Sequence, residues 1–251
     1  MNIDLKKIML IAQQAGRAIM EIYQAGDFSV EIKDDNSPLT LADKASHQII
    51  KQELTRAYPE IPVLSEEGKD VDFQTRQKWD RFWLVDPLDG TKEFIKKNGE
   101  FTVNIALIEN HYPVLGVILA PALETLYYGI NQSLAFKQNS DGAAVAIKVA
   151  KKNRNGMIAV KSRSHSSEEE LQALSQWNIQ DSISVGSSLK FCMVAEGKAN
   201  VYYRHGPTWE WDTAAGQAIV EGAGGTVTAE AQRLAYNKPV IKNGSFLVSG
   251  F

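Results

Sequence analysis

Three short segments concentrate carboxylates in this chain, and their spacing points to chemistry before any fold is considered. In Trp83-Leu84-Val85-Asp86-Pro87-Leu88-Asp89-Gly90-Thr91 an apolar strand runs into two aspartates. Pro87 and Gly90 are expected to turn the chain at once, letting Asp86 and Asp89 face one point. Two acids at the end of a buried strand are costly unless a cation lies between them. Carboxylate oxygens beside the backbone carbonyl of Leu88 suit a hard ion, which favours magnesium over zinc. The plainer reading is a capped turn in which Asp86 accepts backbone N–H bonds. A second segment, Val63-Leu64-Ser65-Glu66-Glu67-Gly68, ends a strand in two adjacent acids that alone would be a solvated turn. In the third, Trp209-Glu210-Trp211-Asp212-Thr213-Ala214-Ala215-Gly216, Asp212 falls in the first turn of a helix. There it either offsets the helix dipole or stands beside a bound phosphate. Together Glu66, Asp86, Asp89 and Asp212 can bind two magnesium ions, an arrangement that holds both the attacking water and the leaving oxygen of a phosphate ester.

The elements that must position these acids follow from hydrophobic period. Ile8, Ile11, Ala12, Ala15, Ile19 and Ile22 predict a helix that Gly26 can end. A second helix is expected from Leu41 to Ala57, with Thr40 and Asp43 spaced as a capping box. Asp43 is equally a cap or a catalytic acid on this reading. Strands are expected at 61–64, 82–85 and 101–109, with Asn110-His111 as a hairpin turn, then at 114–120 and 125–130. After Lys151-Lys152-Asn153-Arg154-Asn155-Gly156 strands alternate with helices: strands at 158–161, 183–185 and 199–203, helices at 168–177, 189–196 and 213–221. The expected division is a mixed α+β lobe over 1–150 and an α/β lobe over 151–251.

Composition excludes several classes of function. The 251 residues carry a net charge of −3, which gives no global attraction to a nucleic-acid polymer or an anionic membrane. Apolar residues make up 44% and charged residues 23%, values of a globular protein with a sizeable core. A single cysteine, Cys192, cannot form an internal disulfide and fits a reducing compartment. Lys6 and Lys7 precede a short apolar run that Gln13, Gln14 and Arg17 cut off, so no export signal or transmembrane segment is expected. The expected location is the cytoplasm, with peripheral association at the inner membrane left open. Cys192 reads as a buried small hydrophobe, His47 and His111 as surface residues, His205 as a loop residue, and Trp209 and Trp211 as core before base-stacking platforms.

These residues resemble the signatures of the inositol monophosphatase superfamily, and within it the bacterial 3'(2'),5'-bisphosphate nucleotidases of the CysQ type. The resemblance rests on Glu66-Glu67, on Asp86-Pro87-Leu88-Asp89-Gly90-Thr91 and on Trp211-Asp212-Thr213-Ala214-Ala215-Gly216. Supporting strings are Asn36-Ser37-Pro38-Leu39-Thr40-Leu41-Ala42-Asp43, Lys92-Glu93-Phe94-Ile95-Lys96, Ser162-Arg163-Ser164-His165 and Gly186-Ser187-Ser188-Leu189-Lys190-Phe191. It implies a layered α/β/α/β/α sandwich. It further implies that Glu66, Asp86, the carbonyl of Leu88, Asp89 and Asp212 ligate two or three magnesium ions, that Thr91 held by Asp43 orients the attacking water, and that Asp89, Gly90, Thr91 and Asp212 face the reacting phosphate. Glu66, or Asp43 acting through Thr91, would be the base. Ser187, Lys190 and Arg204 would lie near a second phosphate and His165 against adenine. The implied reaction takes the 3'-phosphate from adenosine 3',5'-bisphosphate, a small nucleotide, and the 5'-phosphosulfate analogue is also a candidate substrate. Lithium inhibition is implied too. The neighbouring Glu67 leaves the choice between the two glutamates to alignment.

Three other functions compete. An inositol monophosphatase or related sugar phosphatase would use the same metals, but the Ser187 to Phe191 string and Arg204 weigh against it. A haloacid-dehalogenase-like aspartyl-phosphate enzyme spaces its two aspartates one residue apart, whereas Asp86 and Asp89 are two apart. A non-catalytic metal- and nucleotide-binding regulator would have no need of the complete set of acids with Thr91.

Overall fold

A computed structural model describes residues 3–26, 28–32, 38–68, 70–130, 133–152, 156–163 and 167–251. The apolar stripe from Ile8 to Ile19 forms α1 (Leu5–Ala25), capped by the Asp4 side chain on Lys6 N and closed by Gly26 at φ +79°. Short strands β1 (Glu31–Ile32) and β2 (Pro38–Leu39) pair antiparallel and lead into α2 (Leu41–Ala57). Next come β3 (Val63–Ser65), α3 (Phe73–Arg76), β4 (Arg81–Asp89), α4 (Thr91–Ile95), β5 (Thr102–Glu109), β6 (Tyr112–Ala120), β7 (Thr125–Ile130), β8 (Leu134–Gln138) and β9 (Ala144–Ala146). Strands β3 to β9 form one sheet in chain order, with β3 parallel to β4 and every later pair antiparallel. Asn110 and His111 both have positive φ at the β5–β6 hairpin, as a tight primed turn requires.

The second half holds β10 (Met157–Ser162), α5 (Glu168–Leu174), β11 (Ile179–Val185), α6 (Leu189–Ala195), β12 (Val201–Arg204), β13 (Thr208–Trp209), α7 (Glu210–Gly222), β14 (Thr226–Ala229), β15 (Gln232–Arg233), β16 (Lys242–Asn243) and β17 (Phe246–Ser249). Its main sheet has the order β11-β10-β12-β17-β14-β15, while β13 and β16 pair separately. The polar 151–156 stretch falls in the connection between β9 and β10, and residues 153–155 lie outside those described.

Three cores separate five layers. Strand side chains alternate between faces, so Trp83 and Val85 point one way and Phe82 and Leu84 the other. Trp83 and Val85 join Val103, Ile105 and Val117 under Ile8, Ile11, Ile50 and Leu54 of α1 and α2. Phe82 and Leu84 join Ala106 and Ile118 against Phe191, Ala215 and Ile219 of α6 and α7, whose far side meets Val160, Tyr202 and Val248 of the second sheet. Leu174 of α5 covers Ala159 and Val201 on the outer face. This is the expected α/β/α/β/α sandwich. Helix α7 lies in its middle, buried on every side, and approaches the first sheet at glycines. A Cβ on Gly129 would stand 2.5 Å from the Ala218 carbonyl oxygen. That close contact fixes the depth of α7 and with it the position of Asp212.

Several boundaries differ from expectation for physical reasons. Strand β4 does not turn after Asp86 but continues to Asp89, with a register shift against β5 that accommodates Pro87, which has no N–H to give. Helix α7 begins at Glu210, ahead of the expected Thr213, because Asp212 Oδ2 accepts from Trp209 N at 2.8 Å and starts the helix earlier. Helix α5 ends at Leu174 instead of Trp177.

Candidate active site

Parallel pairing of β3 with β4 matches Ser65 to Val85, so the residues that follow, Glu66 and Asp86, leave the sheet at the same edge. Glu66 N still donates to Val85 O at 3.1 Å. The irregular end of β4 adds Asp89, and the first turn of α7 adds Asp212. Glu66, Asp86, Leu88, Asp89, Gly90, Thr91 and Asp212 line one cleft of about 290 Å³. Every residue that the sequence nominates for metal binding therefore meets there. Glu67 instead lines a separate surface groove beside His47 and Lys51 of α2, while Glu66 lines the acidic cleft.

The electrostatics of the cleft are those of acids without enough counter-charge. Asp86 is 1% exposed. Its carboxyl is held well above the ordinary value by burial first, then by the charges of Glu66, Asp89 and Asp212. Asp212 is raised well above its usual range by burial, then by Asp89 and Glu66. Asp89 is raised by burial too, but Lys190 and hydrogen bonds from Ser188 and Asn104 oppose the shift. Among the described residues these acids do not already close around a single point. An all-oxygen donor set with surplus negative charge fits a hard divalent cation that would draw them together. Asp86 Oδ1 also accepts from Leu88 N at 3.1 Å, so the capped-turn reading and the ligand reading both hold for this residue.

Linkage gives the sign of the metal effect. Carboxyls raised above 3.8 in the folded state hold protons more tightly than when unfolded. Their contribution to metal-free stability is full below that value and is lost as pH rises through the folded values. Magnesium binds the ionised forms and should reverse the trend. Thermal melts in magnesium and in EDTA should differ little in the more acid of two buffers and markedly in the more alkaline one. Equal differences at both would remove these acids from the metal site.

Asp43 caps α2 with one oxygen and holds Thr91 with the other. Its Oδ2 accepts from Thr40 N at 2.7 Å and Thr40 Oγ1 at 2.5 Å, completing the capping box of α2. Its Oδ1 accepts from Thr91 Oγ1 at 3.2 Å. With its proton directed to Asp43, the Thr91 oxygen keeps lone pairs for a further donor such as water. Thr91→Ala should therefore lower turnover by about 10²-fold while leaving magnesium affinity nearly intact. Equal losses in rate and in titrated metal affinity would make Thr91 part of the metal scaffold.

Ser187, Lys190 and Arg204 line an adjoining compartment of about 180 Å³ that shares Asp89, Gly90, Glu93 and Asp212 with the first. Lys190 does not run out to solvent. Its ammonium donates to Ser187 O at 2.6 Å and lies 5.7 Å from the Tyr202 ring centroid. Burial, the largest influence, lowers its pKa, and attraction to Asp89 opposes this. Arg204 is braced by Glu170 at 3.3 Å. Ser187 takes the left-handed region at φ +47°, and its buried Oγ has no partner among the described residues. An L-residue held there is strained, as is common at ligand sites. Gly90 sits where the two compartments meet. Its φ is +92°, and a Cβ would lie 3.2 Å from Ser187 Cβ, so only glycine fits. His165 lies outside the described residues.

The compartment also contains residues not singled out from sequence: Glu93, Phe191, Tyr202, Thr208 and Phe246. Phe246 could not be found because β17 was not expected, and Tyr202 read only as a strand residue. Trp209 reaches the first cleft and stacks on Trp211 with centroids 5.2 Å apart. His47 lines the surface groove but is half-buried, since α2 packs on β3 and brings Nδ1 within 2.9 Å of Ser65 Oγ. His111 is exposed as expected but pinned, with Nδ1 2.9 Å from Tyr236 O. Cys192 is fully buried.

Carboxylates at a sheet edge, an Asp–Thr pair and the N-terminus of a central helix, joined within a five-layer sandwich, define a recognisable class. The chain belongs to the inositol monophosphatase family, whose model matches residues 4–250. It is 48% identical over 224 residues to the 3'(2'),5'-bisphosphate nucleotidase CysQ of Salmonella typhimurium strain LT2, covering 89% of each chain. It is 45% identical over 249 residues to CysQ of Buchnera aphidicola subsp. Acyrthosiphon pisum, covering 98% of this chain and 92% of that protein. The crystal structure of CysQ from Bacteroides thetaiotaomicron superposes with a TM-score of 0.85 at 41% identity, covering 98% and 97% of the two chains. No helix among the described residues is long and apolar enough to cross a membrane.

Proposed function

We propose that this protein is a magnesium-dependent 3'(2'),5'-bisphosphate nucleotidase that removes the 3'-phosphate of adenosine 3',5'-bisphosphate, leaving AMP and inorganic phosphate. The observation that carries the reading is the union of an acidic cleft with a compartment holding Lys190, Ser187 and Arg204, through the shared Asp89, Gly90 and Asp212. One substrate with two phosphates fits both. Identity of 45–48% with proteins named for that activity supports it.

In this account Glu66, Asp86, Asp89, Asp212 and the Leu88 carbonyl hold two or three magnesium ions. When bound, the metal supplies positive charge that polarises the phosphoryl oxygens and lowers the pKa of water. The chain's own residues do the rest. Thr91 Oγ1, with its proton held by Asp43 Oδ1, fixes the line of attack of the water on phosphorus, and Glu66, or Asp43 acting through Thr91, takes the water's proton. Backbone N–H groups of Gly90 and Thr91 face the phosphoryl oxygens. Lys190, Ser187 and Arg204 hold the second phosphate, and the family resemblance assigns the adenine contact to His165. The 1–150 lobe supplies most of the metal ligands, and the 151–251 lobe supplies Asp212 and the second-phosphate residues. The protein works in the cytoplasm, consistent with its single buried thiol, and is inhibited by lithium.

Phosphate release from a panel tests the reading. Adenosine 3',5'-bisphosphate, adenosine 3'-phosphate 5'-phosphosulfate, adenosine 3'-monophosphate and inositol 1-phosphate are compared with magnesium and with EDTA. The bisphosphate should be preferred over inositol 1-phosphate by at least about tenfold in kcat/KM. Preference for inositol 1-phosphate would move the protein to the sugar-phosphatase branch.

A further inference from the structure

The Gly186-Ser187-Ser188 corner lines the second compartment and bonds Asp89, which lines both. Ser188 is 2% exposed, and its hydroxyl lies 2.7 Å from Asp89 Oδ2 and 2.9 Å from the Asp212 carbonyl oxygen. It also accepts from Asn104 Nδ2 at 2.9 Å. One hydroxyl has one proton, and the shorter contact and the carboxylate charge place it on Asp89. Asn104, 1% exposed, reaches the same Oδ2 at 3.4 Å. Both side-chain contacts fall on one oxygen, which fixes the rotation of the carboxylate.

The same corner is tied to the second compartment. Ser187 O accepts from Lys190 Nζ at 2.6 Å, and Gly186 N donates to Glu100 Oε2 at 2.8 Å. Glu100 is in turn gripped by Arg163, whose Nε donates to it at 2.6 Å. A group bound between Ser187 and Lys190 therefore acts on the backbone that carries the Ser188 hydroxyl.

Building on the functional reading above, we propose that Ser188 is a positioning residue that orients Asp89 for the acidic cleft and relays occupation of the second compartment to it. The second phosphate then raises kcat as well as tightening binding. A contact that served binding alone would change KM and leave kcat untouched.

The test compares wild type, Ser188→Ala, Lys190→Ala and the double variant. Isothermal titration with magnesium, without substrate, should show about tenfold weaker binding in Ser188→Ala and no weakening in Lys190→Ala, where loss of the ammonium beside Asp89 favours a cation. With adenosine 3',5'-bisphosphate, Lys190→Ala should lower kcat in the wild-type background but not in Ser188→Ala, while its effect on KM persists in both. Unchanged magnesium affinity in Ser188→Ala, or additive losses of kcat, would overturn the proposal. If Ser188→Ala does not fold, Ser188→Cys keeps the volume with a poorer donor and should give the same magnesium loss. If wild type hydrolyses no nucleotide, the functional reading fails, and the magnesium titration, which needs no turnover, still decides the role of Ser188.

Discussion

Asp89→Asn should abolish measurable turnover, a loss of at least about 10³-fold, while the purified protein remains folded. Asp89, with Glu93 and Asp212, is common to both compartments, so it faces the metal cleft and the second-phosphate side at once. Asparagine keeps the shape but removes the charge, and a neutral amide is a weak ligand for magnesium. The metal-free stability should change by less than about 1 kcal/mol, because two effects oppose each other. Repulsion of Asp86 and Asp212 is relieved, while attraction to Lys190 is lost. The relief is thus smaller than a set of purely repelling acids would give. Magnesium titration, a melt in EDTA and a turnover assay on one preparation check all three statements. Near-normal turnover in the folded variant would end the metal assignment.

Lys190→Ala should cut kcat/KM for adenosine 3',5'-bisphosphate by about 10- to 150-fold and barely change it for adenosine 3'-monophosphate. The size follows from the worth of one charge-assisted hydrogen bond, about 1.5–3 kcal/mol. In the folded protein the ammonium donates to the neutral Ser187 O and faces the Tyr202 ring, with Asp89 attracting it and Arg204 repelling it. A phosphate entering between Lys190 and Arg204 would neutralise that repulsion, which makes the compartment selective for an anion. Lys190→Met, which keeps the apolar stem over Tyr202, should show the same selective loss and separates charge from packing. Equal losses on both substrates would assign Lys190 to the fold or to the reacting phosphate.

The long elements were legible because their apolar periods are strong. Helices α1 and α2 and the hairpin at Asn110-His111 follow directly from pattern and caps. Strands β8, β9 and β14 to β17 were not, since each has only two to five residues, too few to show a period. The acids were legible one by one, but sequence could not choose between Glu66 and Glu67, because adjacent residues point apart only once β3 is paired. It also could not assign Asp43, whose two oxygens serve the cap and Thr91 separately. Ser188 was visible only as part of a string. Its contacts to Asp89 and Asn104 span 99 and 84 residues of chain, distances at which no local pattern operates.

The most direct test of the account follows the two phosphates of adenosine 3',5'-bisphosphate by phosphorus NMR as the purified protein acts on it. With magnesium, the 3'-phosphate resonance should disappear, one equivalent of inorganic phosphate should appear, and the 5'-phosphate resonance should remain as AMP. With EDTA nothing should change. Loss of the 5' resonance, or hydrolysis that proceeds at full rate without magnesium, would contradict the account.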